Sequence, residues 1–175
     1  MVVQLQEIIN DVPLAITDAI SRFSCKDKDV ELFLKQKAFD FERRDKSRTY
    51  LVLDDSTGLL LGYFTLSLKA LPFRSGVSKN TIKNIDGFSK DIEAVGIILI
   101  GQFGKDYKTA KDVSGESLFK LCIEAVYQAQ KIVAGRFVML ECQDNEKVVS
   151  FYKRNGFDFL QSDERDNYLQ MVRKL

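Results

Sequence analysis

The sequence contains no histidine. This absence excludes Ser-His and Cys-His catalytic dyads, histidine metal ligands and the most common general base in enzymes. Any acid–base chemistry in this chain has to use carboxylates, tyrosine, lysine, cysteine or the backbone.

Cysteine is also scarce. Cys25, Cys122 and Cys142 form an odd set with no paired spacing, and the last two lie within apolar patterns. We expect all three to be reduced and mostly buried thiols rather than ligands or nucleophiles. With neither histidine nor paired cysteines, no metal site is expected.

Long apolar runs are missing, so no membrane-spanning helix and no membrane partner are expected. The first residues, "MVVQLQEIINDV", carry acids and no basic segment, which argues against a signal peptide and favours a cytoplasmic location. The net charge of +1 excludes a uniformly basic nucleic-acid binder, although it leaves room for a local basic patch.

The composition is that of a soluble globular protein, with 45% hydrophobic and 29% charged residues. A chain of 175 residues is long enough for one domain with a sizeable core. We therefore expect a single domain over residues 1–175.

The first half of the chain begins with "VVQLQEI", whose alternation predicts a strand, and continues with a weak helix or irregular stretch at 12–23. The segment "KDKDVELFLKQKAFDFERR" has the apolar spacing of an amphipathic helix of about four turns. The segment "RTYLVLDDSTGLLLGYFTLSLKAL" predicts two antiparallel strands joined at "DDSTG".

In the second half, residues 74–93 are polar and predict a short helix plus a loop, and "AVGIILIGQF" predicts a central strand buried on both faces. A helix capped by Ser114 and stopped by Gly135 follows. Next come the strand "RFVMLEC", the short helix "NEKVVSFYKRNGF" and two closing strands. The predicted order is β-α-β-β-β-α-β-α-β-β, a single mixed α/β domain.

These segments resemble the GNAT family of acetyl-CoA-dependent N-acetyltransferases. The strand-loop-helix at 95–130 and the segment "NEKVVSFYKRNGF", with Asn145 seven residues before Tyr152, carry the match. The segments "FSCKDKDVELFLKQKAFDFERRDKSRTYLVLD" and "GYFTLSL" resemble the subgroup of GNAT toxins that acetylate aminoacyl-tRNA. Together the resemblance covers nearly the whole chain and implies the GNAT fold, with splayed central strands.

The resemblance also implies a site for acetyl-CoA. The pantetheine arm would pair with the open edge of the central strand, and the diphosphate would meet the N-terminus of the next helix. Tyr152 would protonate the departing thiolate, unless it only packs its helix. The implied cofactor-binding residues are Phe103, Gly104, Lys105, Lys111, Asp112, Val113, Ser114, Gly115, Glu116 and Asn145.

The loop departs from the family pattern, in which Gln or Arg and two glycines, or a glycine and an alanine, hold fixed positions across 110–115. Ala110 lacks the polar side chain, Val113 stands where a glycine lets the backbone approach closely, and Asp112 adds a negative charge that Lys111 offsets. The Ser114 hydroxyl is expected either to bond a phosphate or to cap the helix.

No general base stands out. Glu93 and Glu141 are the candidates, although an exposed loop acid and a paired strand-end acid are the plainer interpretations. An aminoacyl ester has an α-amine of lowered pKa, which has less need of a strong base.

The turn "ERRDKSR" is the candidate acceptor surface, where RNA phosphates would meet Arg43, Arg44, Lys46 and Arg48. The alternative is a solvated turn, because Glu42 and Asp45 interrupt the basic run.

The sequence thus predicts an acetyl-CoA-dependent N-acetyltransferase of a primary amine, with charged tRNA as the toxin-like acceptor. Two alternatives stay open: an acetyltransferase of a small amine or a protein N-terminus, and a non-catalytic GNAT-fold binding or regulatory module. The toxin resemblance implies an antitoxin partner with a ribbon-helix-helix part. A monomer and a homodimer are both compatible with the sequence.

Overall fold

The computed structural model describes residues 1–111, 113–162 and 168–175. The strands within these ranges are β1 Val2–Gln4, β2 Arg48–Leu53, β3 Leu60–Pro72, β4 Ala94–Lys105, β5 Phe137–Gln143, β6 Asp158–Ser162 and β7 Tyr168–Lys174. The helices are α1 Leu5–Ile8, α2 Leu14–Arg22, α3 Lys28–Leu32, α4 Ala38–Arg43, α5 Lys79–Asp86, α6 Gly115–Val133 and α7 Glu146–Arg154, with a π-helical turn, Phe33–Lys37, joining α3 to α4.

The strands form a mixed sheet in the hydrogen-bonded order β1-β2-β3-β4-β5-β7-β6. β4 and β5 are parallel over Ile98–Ile100 and Val138–Leu140, whereas β1–β2, β2–β3, β5–β7 and β6–β7 are antiparallel. The parallel register is short, and β4 continues beyond it to Lys105. The predicted α/β fold with a mixed sheet is confirmed.

The chain divides into two compact units, each with its own core. The first unit comprises residues 1–67 and 101–125, and its core gathers Leu5, Phe23, Leu34, Leu51 and Tyr63. The second comprises residues 68–100 and 126–175, and its core gathers Leu71, Ile85, Ile97, Phe137 and Met139. β3 and β4 each contribute residues to both units. The single domain over 1–175 stays a prediction.

The first strand is shorter than the sequence predicts. β1 ends at Gln4, and the chain turns into the helix α1. Leu5 is fully buried and Ile8 packs against the same core. Their spacing of three residues suits one face of a helix, so burial of this pair outweighs the alternation that favours a strand.

The predicted amphipathic helix at 28–43 is present, with a π-helical turn in its middle. Asp27 caps it, since its carboxylate accepts hydrogen bonds from the N–H groups of Asp29 at 2.9 Å and Val30 at 3.3 Å. Leu34 and Ala38 are fully buried. The helix presents this apolar stripe to the first core.

Local signals elsewhere are also confirmed. Asp54 closes the predicted turn by accepting hydrogen bonds from Ser56 and Thr57, which hold the pKa of its carboxyl well below the ordinary range. The helix predicted within 74–93 is α5, capped by Ser78 and ended by Gly87 at φ 91°. α6 ends at Val133, followed by Gly135 at φ 117°, a conformation that favours glycine.

Within the described ranges, every helix is too short or too polar to cross a bilayer.

Candidate functional site

The loop that follows β4 is organised by Asp106. Its carboxyl group is buried, with 2% of the residue exposed. One oxygen accepts a hydrogen bond from the N–H of Ser24 at 2.8 Å, and the other accepts from the N–H groups of Lys108 at 2.7 Å and Thr109 at 2.8 Å. A buried carboxylate is stable only when donors surround it in this way. Asp106 therefore fixes both the loop and the chain segment that precedes α3.

Further hydrogen bonds hold the same loop. The N–H of Tyr107 donates to the carbonyl of Ser24 at 3.0 Å, and the N–H of Asp106 donates to the carbonyl of Leu61 at 2.9 Å. The hydroxyl of Thr109 donates to the carbonyl of Leu60 at 2.7 Å. The start of the loop is thus tied to β3 and to the α2–α3 connection.

A basic pocket of about 470 Å³ opens beside this anchored loop, lined by Cys25, Lys26, Lys105, Tyr107 and Lys111. We call it the lysine pocket. Its three lysines have no ion-pair partner among the residues that the structure describes. Among the residues that the structure describes, no carboxylate belongs to the lining. The pocket therefore gathers three lysines that form no ion pair within the described ranges.

One acid of the α2–α3 region, Glu31, is already engaged. The Glu31 carboxylate accepts hydrogen bonds from Lys28 at 2.9 Å, Lys35 at 3.0 Å and the N–H of Cys25 at 3.0 Å. These contacts, that of Lys28 foremost, lower the pKa of Glu31 to about 2. Glu31 thus holds the backbone at Cys25 without neutralising the lysine pocket.

The cysteines are free and buried, as predicted. Burial raises the pKa of the Cys25 thiol, which keeps it protonated at neutral pH. Burial likewise raises the pKa of Cys122, and it raises the pKa of Cys142 to about 11. None of the three has the lowered pKa of a nucleophilic cysteine.

The predicted phosphate loop leads into α6. The Ser114 hydroxyl accepts a hydrogen bond from the N–H of Ser117 at 2.9 Å. Ser114 therefore caps α6, which is one of its two expected roles. The N–H of Val113 donates to the carbonyl of Ala110 at 3.2 Å and is used within the loop. Gly115 begins α6, and Glu116 is exposed in its first turn. Asp112, predicted to bind the cofactor, lies outside the described residues.

The predicted pantetheine segment forms the end of β4. The Phe103 ring packs edge-to-face on Phe119, with centroids 5.0 Å apart. Gly104 is buried, and a Cβ at this position would lie 2.7 Å from Val30 and 3.1 Å from Tyr63. Glycine is therefore required here by close packing against α3 and β3.

Asn145 and Tyr152 belong to the second unit. The Asn145 side chain caps α7 by accepting from the N–H groups of Lys147 at 3.0 Å and Val148 at 3.4 Å. The ring of Tyr152 is half-buried and packs on Phe151 and Phe157, with centroid distances of 5.2 and 6.1 Å. These ring contacts do not prevent the Tyr152 hydroxyl from acting as a proton donor. The catalytic role of Tyr152 stays a prediction.

The two candidate bases differ in surroundings. Glu141 pairs with Lys69 and accepts a hydrogen bond from Gln170 at 3.0 Å. Glu93 is exposed. Glu141 is thus a paired strand acid, and Glu93 is an exposed loop acid. Both match the structural alternatives to a role as general base.

The basic turn between α4 and β2 is partly neutralised from within. Arg48 pairs with the buried Glu42 at 3.1 Å and with Asp45 at 2.6 Å, while Glu42 also accepts from the N–H of Thr49 at 2.7 Å. Arg44 pairs with Asp40 at 3.6 Å.

Arg43 and Lys46 instead lie over the rings of Phe39 and Phe41, at 5.9 and 5.7 Å from the centroids. Of the four predicted acceptor-side residues, Arg48 has a structural role, and Arg43 and Lys46 are the more available charges.

Sequence reasoning missed Asp106, Lys26 and Tyr107. A signal for Asp106 did exist, because an aspartate directly after a buried strand commonly accepts from N–H groups two and three residues on. Lys26 carried no such signal, since it reaches the lysine pocket only through the fold.

No protein-family model matches the chain, and a search by sequence among characterised proteins finds no match. Solved structures do match it. AtaT complexed with acetyl-methionyl-tRNAfMet superposes with a TM-score of 0.67 at 24% identity, covering 86% of this chain and 85% of that one. A tyrosine-to-phenylalanine mutant of KacT gives 0.69 at 24% identity, covering 97% and 92%.

A third match is AtaTR bound with acetyl-CoA, with a TM-score of 0.63 at 24% identity over 86% of this chain and 84% of that one. The fold is that of the GNAT toxins. The resemblance inferred from the sequence is therefore confirmed at the level of the GNAT fold, over most of the chain.

Proposed function

We propose that this protein is an acetyl-CoA-dependent N-acetyltransferase whose acceptor is the primary amine of an aminoacyl-tRNA. The observation that carries the proposal is the anchored loop between β4 and α6, with Lys105 and Lys111, which form no ion pair in the described part of the chain, beside it. The fold adds support, since AtaT structures bound to acetyl-CoA and to acetyl-methionyl-tRNAfMet share it.

The residues present fit the anionic end of acetyl-CoA. The ammonium groups of Lys105 and Lys111 have no protein partner in the described ranges, so an anion meets them without breaking an ion pair. Backbone N–H groups at the start of α6 add the positive end of the helix dipole. The end of β4, Phe103 to Lys105, offers backbone groups to an amide chain in the manner of an added strand.

When bound, acetyl-CoA supplies an acetyl group as a thioester. Backbone N–H groups of β4 would polarise the carbonyl, which would favour attack by the neutral amine. The Tyr152 hydroxyl would give its proton to the sulfur as the carbon–sulfur bond breaks. The amine nitrogen would release a proton to solvent, and the tyrosinate would regain a proton from solvent. No strong base is required if the amine is largely neutral at the working pH, as the α-amine of an aminoacyl ester is.

The acceptor assignment rests on the toxin-like fold and on the exposed charges of the basic turn. Within the described part of the chain, Arg43 and Lys46 form no ion pair with a carboxylate, which suits contact with RNA phosphates. A small amine has no need of such a surface.

Radiolabelled acetyl-CoA offered with a mixed pool of charged tRNAs, then with polyamines and with peptide N-termini, tests the proposal. Label on charged tRNA is the expected result. Label on polyamine or peptide alone would show that the acceptor is not charged tRNA, while the acetyltransferase activity would stand. Absence of heat in calorimetric titrations with acetyl-CoA and CoA at millimolar concentration would favour the non-catalytic GNAT-fold module instead.

An antitoxin is part of the proposal. AtaTR, the complex bound with acetyl-CoA, shares this fold, and so does AtaT bound to the C-terminus of the antitoxin AtaR. We expect a small partner with a ribbon-helix-helix part, encoded beside this gene. Co-expression of such a neighbour should relieve growth arrest caused by the protein alone, and continued arrest would count against the partnership.

A further inference from the structure

We infer that the lysine pocket binds the 3′-phosphate of the cofactor's ribose, so that the protein discriminates CoA from dephospho-CoA. This inference rests on the proposed function and adds a selectivity to it. It concerns Lys26, Lys105 and Lys111, which come from two distant parts of the first unit and line one cavity.

Charge density favours a phosphomonoester. A terminal phosphate has its second pKa near about 6 and so carries close to two negative charges at neutral pH. Each phosphate of the diphosphate, like each phosphodiester of RNA, carries only one. Three lysines line one cavity, and no carboxylate of the described residues lines it. This charge matches the most highly charged group that acetyl-CoA offers.

The shape of the site argues in the same direction. The cavity of about 470 Å³ lies within the range of small-molecule pockets, roughly 300–1,000 Å³. An RNA backbone would be held by charges spaced along a surface, because its phosphates follow one another along the chain. A concave pocket suits one phosphate with part of its sugar.

The pocket is also rigidly built. Asp106 and Tyr107 hold Ser24 through two hydrogen bonds, and Glu31 holds the N–H of Cys25. The backbone that carries Lys26 is therefore positioned before any ligand arrives. Preorganised charges of this kind lose less entropy when a ligand binds.

The test compares CoA with dephospho-CoA, which lacks only the 3′-phosphate, by isothermal titration calorimetry. We expect the unaltered protein to prefer CoA by about tenfold or more. In the double variant Lys26→Met with Lys111→Met, CoA affinity should fall roughly 10- to 100-fold, whereas dephospho-CoA affinity should change less than about twofold. Because neither lysine has an ion-pair partner among the described residues, the variant should retain its melting temperature.

Lys37→Met is the matched control. Lys37 is exposed in the same unit and is absent from the pocket lining, and its substitution removes one positive charge. It should leave the preference for CoA intact.

Four outcomes would overturn the inference. An unaltered protein that binds both ligands equally would exclude a 3′-phosphate site while keeping the proposed function. Equal losses for both ligands in the double variant would assign the lysines to the diphosphate. Unchanged CoA affinity with lost acetylation of charged tRNA would assign them to RNA. If neither ligand binds the unaltered protein, the proposed function fails and this inference fails with it.

Discussion

The Asp106 carboxylate accepts a hydrogen bond from the N–H of Ser24, 82 residues earlier in the chain, at 2.8 Å. Its other oxygen accepts from the N–H groups of Lys108 and Thr109. All three partners are N–H donors, so the side chain at position 106 has to accept in each hydrogen bond. In Asp106→Asn, one amide N–H₂ would face an N–H donor. We expect the free energy of unfolding to fall by about 2–3 kcal/mol and acetyl-CoA binding to weaken with it.

Urea unfolding and calorimetry measure the two effects of Asp106→Asn. Thr109→Val, which removes only the side-chain hydrogen bond to Leu60, is the milder control and should cost about 1 kcal/mol. Equal stabilities of Asp106→Asn and the unaltered protein would show that Asp106 does not organise the loop.

Gly62 should resist substitution because of space. A Cβ there would lie 2.6 Å from the carbonyl oxygen of Gly104 and 3.0 Å from Leu118. Gly62→Ala should lower the free energy of unfolding by about 1–3 kcal/mol. Gly96→Ala is the matched control, since a Cβ at Gly96 meets nothing within 4 Å, and it should stay within about 0.5 kcal/mol. Similar thermal melts for both variants would contradict the packing argument.

In the basic turn, different residues should contribute to stability and to RNA binding. Arg48→Met leaves the buried Glu42 without its cation, so we expect a loss of about 1–3 kcal/mol in urea unfolding. Arg43→Met with Lys46→Met should leave stability within about 0.5 kcal/mol while weakening acetylation of charged tRNA and reducing its salt dependence. Normal tRNA acetylation by that double variant would remove the turn from the acceptor site.

The stability contributed by Glu31 should depend on pH. Its folded pKa of about 2 lies below the ordinary value, about 4.3. A lowered carboxyl pKa stabilises the folded state above the ordinary value, and this stabilisation disappears as the pH falls from about 4.3 towards 2. Glu31→Gln should therefore melt below the unaltered protein at pH 6. The gap between the two melting temperatures should narrow below about pH 4.3 and close only as the pH falls through about 2.

The control for this pH series is Glu93→Gln, which alters an exposed acid with no ion pair among the described residues. Its melting temperature should follow that of the unaltered protein throughout. A gap between Glu31→Gln and the unaltered protein that is constant with pH would show that packing, not charge, explains the contribution of Glu31.

Tyr152→Phe should keep the ring contacts with Phe151 and Phe157 while removing the proposed proton donor. Turnover should fall roughly 100-fold, and acetyl-CoA affinity should change little. Steady-state kinetics and calorimetry measure these separately. Undiminished turnover would assign protonation of the thiolate to solvent or to another group.

Sequence alone determined the features that depend on neighbours in the chain. The apolar run of β4, the stripe of α6, the cap Ser114 and the Asp54 turn follow from contacts between residues a few positions apart. Local spacing fixes these contacts whatever surrounds them. The order of these elements, together with the segments at 95–130 and 145–157, resembles the GNAT family and so indicated its fold.

Local spacing did not predict where β1 ends or which residues pair in the basic turn. The alternation of "VVQLQEI" favours a strand, but the burial of Leu5 in the core turns the chain into a helix. Arg48 and Glu42 are only six residues apart, yet their pairing depends on Glu42 being buried beneath the turn, which spacing does not indicate.

Only the tertiary structure brought Lys26 to Lys105 and Lys111, and Asp106 to Ser24. These residues are far apart in sequence and carry no shared pattern. They meet because β4 packs Gly104 against Val30 and Phe23, which brings the α2–α3 connection to the end of the strand. Such convergence depends on how closely two distant backbones approach, a quantity that the packing of the whole core sets and that local propensity does not contain.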